Sequence, residues 1–279
     1  MTNQPMVSVL MTAYNREKYI EEAIKSVLDS TYKNFELIIV DDGSKDNTVE
    51  IAKAYAVKDA RIKVYVNEQN LGDYPNRNKA ASYATGKYLK YVDADDMIYP
   101  RGLEILVEMM EEFPEAGWGL CSMSQFIEKP FPFMLDPKEA FHYNYLGPGL
   151  FHRAPLSSII KREIFEAVEG FKSIRMAGDF EMWHRLAQQY NVVLMPDGIV
   201  WYREHDEQEV NHHEKFIGVY EKLKIAYLKD EHSPIEQQIR EKLLLQLKFC
   251  LSKRLIINLA KVNLKLVRMH FISLKYLFE

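Results

Sequence analysis

The chain has 279 residues, 47% of them hydrophobic and 27% charged, with a net charge of −4. That balance fits a soluble globular protein with a sizeable core, and no nucleic-acid partner is expected. The two cysteines, Cys121 and Cys250, lie far apart without ligand spacing, which points away from zinc and toward a reducing compartment. The N-terminus lacks a signal-peptide pattern and no run reaches the ~18 apolar residues of a spanning helix, so a cytoplasmic location is expected.

In chain order, "VSVLM" (7–11) reads as a buried strand, and Ile20, Ala23, Ile24, Val27 and Leu28 then recur at helical spacing. "FELIIV" (35–40) is a second strand, followed by a helix that starts near Asn47 and Glu50 and runs on through Ala52 and Tyr55. "IKVYV" (62–66), a helix at 76–85 and a strand "YLKYV" (88–92) continue the alternation. A β-α-β-α-β-α-β order implies an α/β fold, a mostly parallel sheet with helices on both faces. Residues 114–158 hold six prolines and read as a long irregular segment, with 124–155 expected to form the acceptor side of a site. "SSIIKREIFEAVEGF" is a strand passing into a helix that ends near Gly170, and 177–190 is a helix. "VVLMP" and "IVWYRE" read as a closing pair of strands, and everything after about 210 as helix. The expected division is residues 1–209 as one domain and 210–279 as a helical C-terminal extension.

Three strand ends carry chemistry. "VDADD" places Asp93, Asp95 and Asp96 within four positions, where like charges repel and lose solvation. Either they lie on a solvated turn, or they hold a cation; oxygen ligands without a neighbouring His or Cys favour Mg²⁺ or Mn²⁺. "VDDGSKDNT" (40–48) is a turn that caps the next helix, or it presents Asp42 to a base or ribose. In "MTAYNRE" (11–17) Tyr14 either stacks on a base or is an ordinary loop tyrosine, and the absence of a glycine cradle argues against dinucleotide binding.

Five blocks occur in a familiar order: "SVLMTAYNREKYIEEAIKSVL", "FELIIVDDGSKDNT", "NLGDYPNRNKAASYATGKYLKYVDADD", "SSIIKREIFEAVEGF" and "GDFEMWHRL". On them the sequence resembles the family 2 glycosyltransferases of the GT-A fold, a Rossmann-like architecture, over roughly residues 6–208. The resemblance implies a nucleotide-sugar donor, a divalent cation and transfer with inversion. It places Thr12, Tyr14 and Asp42 at the nucleoside, with Asp42 facing uracil if the donor is a UDP-sugar. Arg77 would lie near the donor, Asp93 at ribose or sugar, Asp95 on the Mn²⁺ or Mg²⁺ that bridges the phosphates, and Asp96 in support of the turn. The general base would be Asp179, with Glu181 as a fallback, because the family's Glu-Asp pair here reads Gly178-Asp179. Asp179 is otherwise a first-turn carboxylate favoured by the helix dipole. His205 would meet the diphosphate or metal with help from Arg203, or else be an exposed turn histidine. Trp183 reads as core.

The expected reaction adds one sugar per encounter, since the Gln-x-x-Arg-Trp block of processive synthases is missing. A sugar-1-phosphate nucleotidyltransferase and an inactive nucleotide- or glycan-binding relative are the alternatives. From Lys242 to Phe278 there are eight basic and no acidic residues, leaving 28 basic and 39 acidic in 1–241. Such a tail either packs its apolar side on the domain or lies on anionic lipid, near a glycan or lipid-linked acceptor.

Overall fold

A computed structural model describes residues 4–124, 129–205, 215–260 and 264–278. β1 (Val7–Ala13), β2 (Phe35–Asp41), β3 (Ile62–Val66) and β4 (Tyr88–Tyr91) alternate with α1 (Ile20–Leu28), α2 (Thr48–Ala56) and α3 (Asp73–Ser82). Every residue of β2 is buried, which is why Leu37–Val40 is a continuous apolar run rather than an alternation, and its buried Glu36 is answered by Ser8 and Lys63. α3 begins three residues before its expected start. Pro75 sits in its first turn, where no intrahelical N–H is required, so the proline does not delay the helix. Gly72, at φ +87°, supplies the sharp entry just before it.

The chain continues through β5 (Met97–Ile98), α4 (Gly102–Glu111), β6 (Trp118–Met123), β7 (Phe133–Leu135) and α5 (Pro137–Leu146). It then forms β8 (Ser158–Lys161), α6 (Arg162–Ala167), α7 (Gly178–Gln189), β9 (Val192–Pro196) and β10 (Val200–Trp201). Among the described residues, the 114–158 segment is therefore only partly irregular, since it holds β6, β7 and α5. Its helix α5 opens on Asp136, which accepts from the Glu139 N–H at 2.8 Å while Glu139 accepts from the Asp136 N–H at 3.0 Å. This reciprocal cap, with Pro137 at the first helical position, was written in "DPKE".

The eight-stranded sheet runs β3-β2-β1-β4-β8-β6-β9-β7. β8 lies antiparallel to both β4 and β6, and β7 antiparallel to β9; the remaining neighbours are parallel. One apolar cluster on one face gathers Ala80, Phe141, Phe165, Trp183 and Leu228, and another on the opposite face gathers Ile24, Ala52 and Leu106. Helices thus cover both faces. Trp183 is fully buried and stacks on Trp118 at 5.3 Å, so its place is in the core. The strands at 192–196 and 200–201 are not a pair: β9 joins β6, whereas β10 joins β5 through Val200–Ile98 and Trp201–Met97. That second pairing carries residues 202–205 to the end of β4.

α8 (Ile217–Lys229), α9 (Gln237–Ala260) and α10 (Leu264–Phe278) form the C-terminal extension. The expected boundary at 209/210 lies outside the described residues. α8 packs on α7: Leu228 belongs to the apolar cluster of Trp183, and the Tyr227 hydroxyl donates to Glu181 Oε1 at 3.1 Å. On α9, Leu251 is fully buried, while Phe249, Ile256 and Leu259 are exposed, as are Phe271 and Phe278 on α10. No helix among the described residues is long and apolar enough to cross a membrane.

Candidate active site

β1 lies between β2 and β4, so the chain order reverses between β1 and β4. Ligands of open α/β sheets bind beyond strand C-terminal ends at such a reversal. A cavity of 1460 Å³ opens there. Thr12, Tyr14, Asp42, Arg77, Asp93, Asp95, Asp96, Asp179 and His205 all line it. Arg203 and Glu181 do not.

The three carboxylates of "DADD" are answered by the protein's own cations. Arg77 grips Asp93 with both terminal nitrogens, at 2.7 and 2.8 Å, and Thr12 Oγ1 donates to the same carboxylate at 3.0 Å. Burial alone would lower the Arg77 pKa, but Asp73 and Asp93 raise it well above its ordinary value. Asp95 Oδ2 accepts from Arg16 Nε at 2.7 Å and lies 3.1 Å from His205 Nε2. Asp96 is buried and accepts from the Arg203 N–H at 3.0 Å, while Arg203 Nε donates to the Asp95 carbonyl at 2.8 Å. Burial, reinforced by Asp93, pushes the Asp96 carboxyl above its usual range. Beneath the turn, Lys90 is fully buried with its ammonium on the Leu156 carbonyl, and burial lowers its pKa to about 8. Arg203 therefore acts on the backbone and Asp96, holding the turn rather than facing the cavity.

Asp42 has a more structural setting than its sequence position suggests. Its carboxylate accepts from Asn67 Nδ2 at 2.8 Å and from the Leu71 and Gly72 N–H groups at 2.8 and 2.9 Å. It fixes the loop before α3 and still borders the cavity. Tyr14 is 44% exposed at the rim, where its ring is available for stacking.

Across the cavity Asp179 Oδ1 accepts from the Phe180 N–H at 2.7 Å and from the Tyr74 hydroxyl at 3.1 Å. Burial raises its pKa to about 6, against the lowering effect of these two donors. No described residue donates to Oδ2, which leaves that oxygen able to take a proton. Glu181, in contrast, is buried between Arg185 Nη2 at 2.9 Å and Lys172 Nζ at 2.6 Å. Its charge is spent on these pairs, and the fallback role does not suit it. Gly178 has a steric reason. A Cβ there would stand 2.7 Å from the Tyr74 ring and 2.8 Å from the Lys172 carbonyl, so the ring that holds Asp179 occupies the space a side chain would need.

For a divalent cation, the described residues offer no group of three His, Cys, Asp or Glu. Asp95 and His205 supply two, which suits a cation that brings its remaining oxygen ligands on a diphosphate rather than one held in a protein cage.

The sequence profile described as Glycosyl transferase family 2 matches residues 8–169, more than half the chain and all of the strands that build the carboxylate cluster. The chain belongs to this family. An uncharacterized glycosyltransferase of Methanocaldococcus jannaschii, MJ1057, is 32% identical over 208 residues, which cover 72% of this chain and 71% of that one. The putative teichuronic acid biosynthesis glycosyltransferase TuaG of Bacillus subtilis is 39% identical over 140 residues, 47% of this chain and 56% of the relative. Among solved structures, the mannosyltransferase PcManGT of Pyrobaculum calidifontis, in complex with GDP-Man and Mn²⁺, superposes with a TM-score of 0.68. At 19% identity, over 99% of this chain and 86% of that one, it shares the GT-A fold. In this family 2 glycosyltransferase, sequence reasoning passed over Arg16, Tyr74, Lys90 and Arg153. Arg16 stood in a quoted block, but only the folded chain brings it to Asp95.

Of the 124–155 segment, Phe151–Pro155 line the cavity, and Leu156 and Ser157 continue that lining. α5 instead packs against α7, its Tyr145 hydroxyl 2.8 Å from His184 Nε2. α8 and α9 add Tyr220, Glu221, Lys224 and Arg254 to the wall.

Proposed function

We propose that the chain transfers a single sugar, with inversion, from a nucleotide-diphosphate sugar to an acceptor hydroxyl. The observation that carries this reading is that one cavity joins the Asp93–Asp96 cluster to a half-buried carboxylate, Asp179, with an oxygen to spare. Inversion would place the acceptor hydroxyl at Asp179 and the leaving diphosphate at the Asp93–Asp96 cluster, on opposite sides of the sugar. Tyr14 and Asp42 would receive the nucleoside, Asp93 and Arg77 the ribose or sugar, and Asp179 the proton of the attacking hydroxyl. Asp95, with His205, would hold Mn²⁺ or Mg²⁺ carried by the diphosphate, which supplies Lewis-acid neutralisation of the departing charge. The GDP-Man and Mn²⁺ bound to PcManGT support the donor class and the cation; the donor nucleotide proposed here is UDP, on the placement of Asp42. The teichuronic acid biosynthesis role assigned to TuaG supports cell-surface polysaccharide or glycolipid synthesis as the setting.

Thermal shift with UDP-, GDP- and dTDP-sugars in Mn²⁺, followed by hydrolysis assays on those that bind, tests the reading. A UDP-sugar is expected to stabilise the chain and to be hydrolysed slowly without acceptor. Absence of both binding and hydrolysis across the panel would refute it.

The C-terminal helices are proposed to rest on anionic lipid near a lipid-linked acceptor. Exposed Phe249, Ile256, Phe271 and Phe278 share this tail with Lys253, Lys265, Arg268 and Lys275. Each cation near such a surface contributes about 1 kcal/mol. Two of the basic residues turn elsewhere: Arg254 pairs with Glu221 at 3.1 Å and Lys248 covers the Phe278 ring at 4.1 Å. Co-sedimentation with phosphatidylglycerol vesicles is expected at low salt and to fall at high salt. No binding at low salt, or binding unchanged in a Lys253/Lys265/Arg268/Lys275→Gln variant, would leave the tail as scaffold.

A further inference from the structure

The wall of the cavity beyond Asp179 carries cations that the reaction as proposed leaves without a task. Arg153 lies just before the 155–157 turn, and its buried Nε has no hydrogen-bond partner. Nor does any other nitrogen of its guanidinium bond to a described residue. Lys224, on α8, likewise makes no hydrogen bond or ion pair with a described residue; its ammonium lies 5.7 Å from the centre of the Phe180 ring. Burial and then Arg254 lower the Lys224 pKa, with Glu221 acting the other way. Glu221 offsets Lys224 in part, but its Oε1 is bound to Arg254 at 3.1 Å and lies 3.4 Å from His270, and it makes no hydrogen bond to Lys224 or Arg153.

These groups are near the reacting centre. Phe180 follows Asp179 in sequence, its ring lies 4.6 Å from that of His152 and 5.2 Å from that of Tyr220, and Arg153 adjoins His152. The carboxylate cluster that would meet the donor phosphates has its own cations, Arg77 and Arg16. Both residues are half-buried, and a cation held at a cavity wall without a hydrogen-bonding partner is placed to take an anionic ligand. Fixed at a cavity wall, Arg153 and Lys224 are arranged for an oxyanion.

We propose that Arg153 and Lys224 bind an acidic group, phosphate or carboxylate, on the acceptor, so that the substrate class of this enzyme is an anionic glycan or glycosyl phosphate. This deepens the glycosyl-transfer reading and rests on it. The acid would anchor the acceptor at the α8 wall and bring a neighbouring hydroxyl to Asp179 Oδ2. Selectivity would then come from a charge contact shared by the loop that leads into β8 and by α8 of the C-terminal extension.

The test titrates the full chain with glucose 6-phosphate, glucuronate and glucose by ligand-observed NMR, with and without saturating UDP or GDP and Mg²⁺. At least one acid-bearing sugar is expected to bind about tenfold or more tightly than glucose, the scale of one charge-assisted hydrogen bond. Preference for the phosphate over the carboxylate, or the reverse, identifies which acid the wall takes. The Arg153→Met, Lys224→Met pair should lose the preference, and the charge-keeping Arg153→Lys, Lys224→Arg pair should retain it. Binding of none of the three, equal binding of glucose, or a preference that survives the methionine pair would overturn the proposal. So would displacement of the acid sugars by the nucleotide, because the cations would then belong to the donor. Nucleotide-sugar hydrolysis by the unaltered chain is read separately. Absence of both nucleotide-sugar binding and hydrolysis beside an intact acid preference would remove the glycosyl-transfer reading and not this contact.

Discussion

Asp95→Asn is expected to lower sugar transfer by about three orders of magnitude while the fold survives. Neutralising a departing diphosphate through a Lewis acid is worth several kcal/mol, and each ~1.4 kcal/mol is a factor of about ten in rate. The amide keeps the shape of the side chain but surrenders the charge that would hold the cation. The same substitution also strips Arg16 of its ion pair at 2.7 Å, so loss of activity alone would not identify the cause. Calorimetric titration of Mn²⁺ in the presence of UDP separates the two. The variant should lose cation affinity, whereas Arg16→Gln should keep it, since Asp95 and His205 both remain. Unchanged Mn²⁺ affinity in Asp95→Asn would remove Asp95 from the metal and leave it as the partner of Arg16.

Asp179→Asn is expected to reduce kcat by a factor of roughly 10²–10⁴, the usual contribution of a positioned base, with donor affinity little altered. The pH profile supplies the sign. A base works when deprotonated, and burial places the Asp179 pKa at about 6. Turnover should therefore rise as pH increases through about 6 and level off above it, and the asparagine variant should lose this rising limb. Tyr74→Phe removes one of the two donors to Oδ1 and should move the limb to higher pH, because that hydrogen bond favours the ionised carboxylate. Full activity in Asp179→Asn, with the rising limb intact, would exclude this residue as the base.

Much of this protein was legible in the order of its residues. The apolar runs at 7–11, 35–40, 62–66 and 88–92 became strands within a residue or two at each end, because strands buried on both faces, as β1, β2 and β4 are, must be mostly apolar. Once these runs alternate with amphipathic helices, a parallel sheet follows, and the polar residues after each strand gather at one edge. That is how Thr12, Asp42 and Asp93–Asp96 came to share a cavity across some eighty positions of sequence. Tertiary structure decided what local pattern does not encode. No periodicity says that "IVW" pairs with Met97–Ile98 rather than with β9, yet this pairing delivers Arg203 and His205 to the carboxylates. Charge balance was also invisible, since Arg16 reaches Asp95 from the end of β1 and Arg77 reaches Asp93 from α3 only in the folded chain, and composition cannot say which cation answers which acid. Gly178 looked like a missing carboxylate. It is instead the room that the Tyr74 ring requires to hold Asp179, a relation between α3 and α7 that exists only after the two helices have packed.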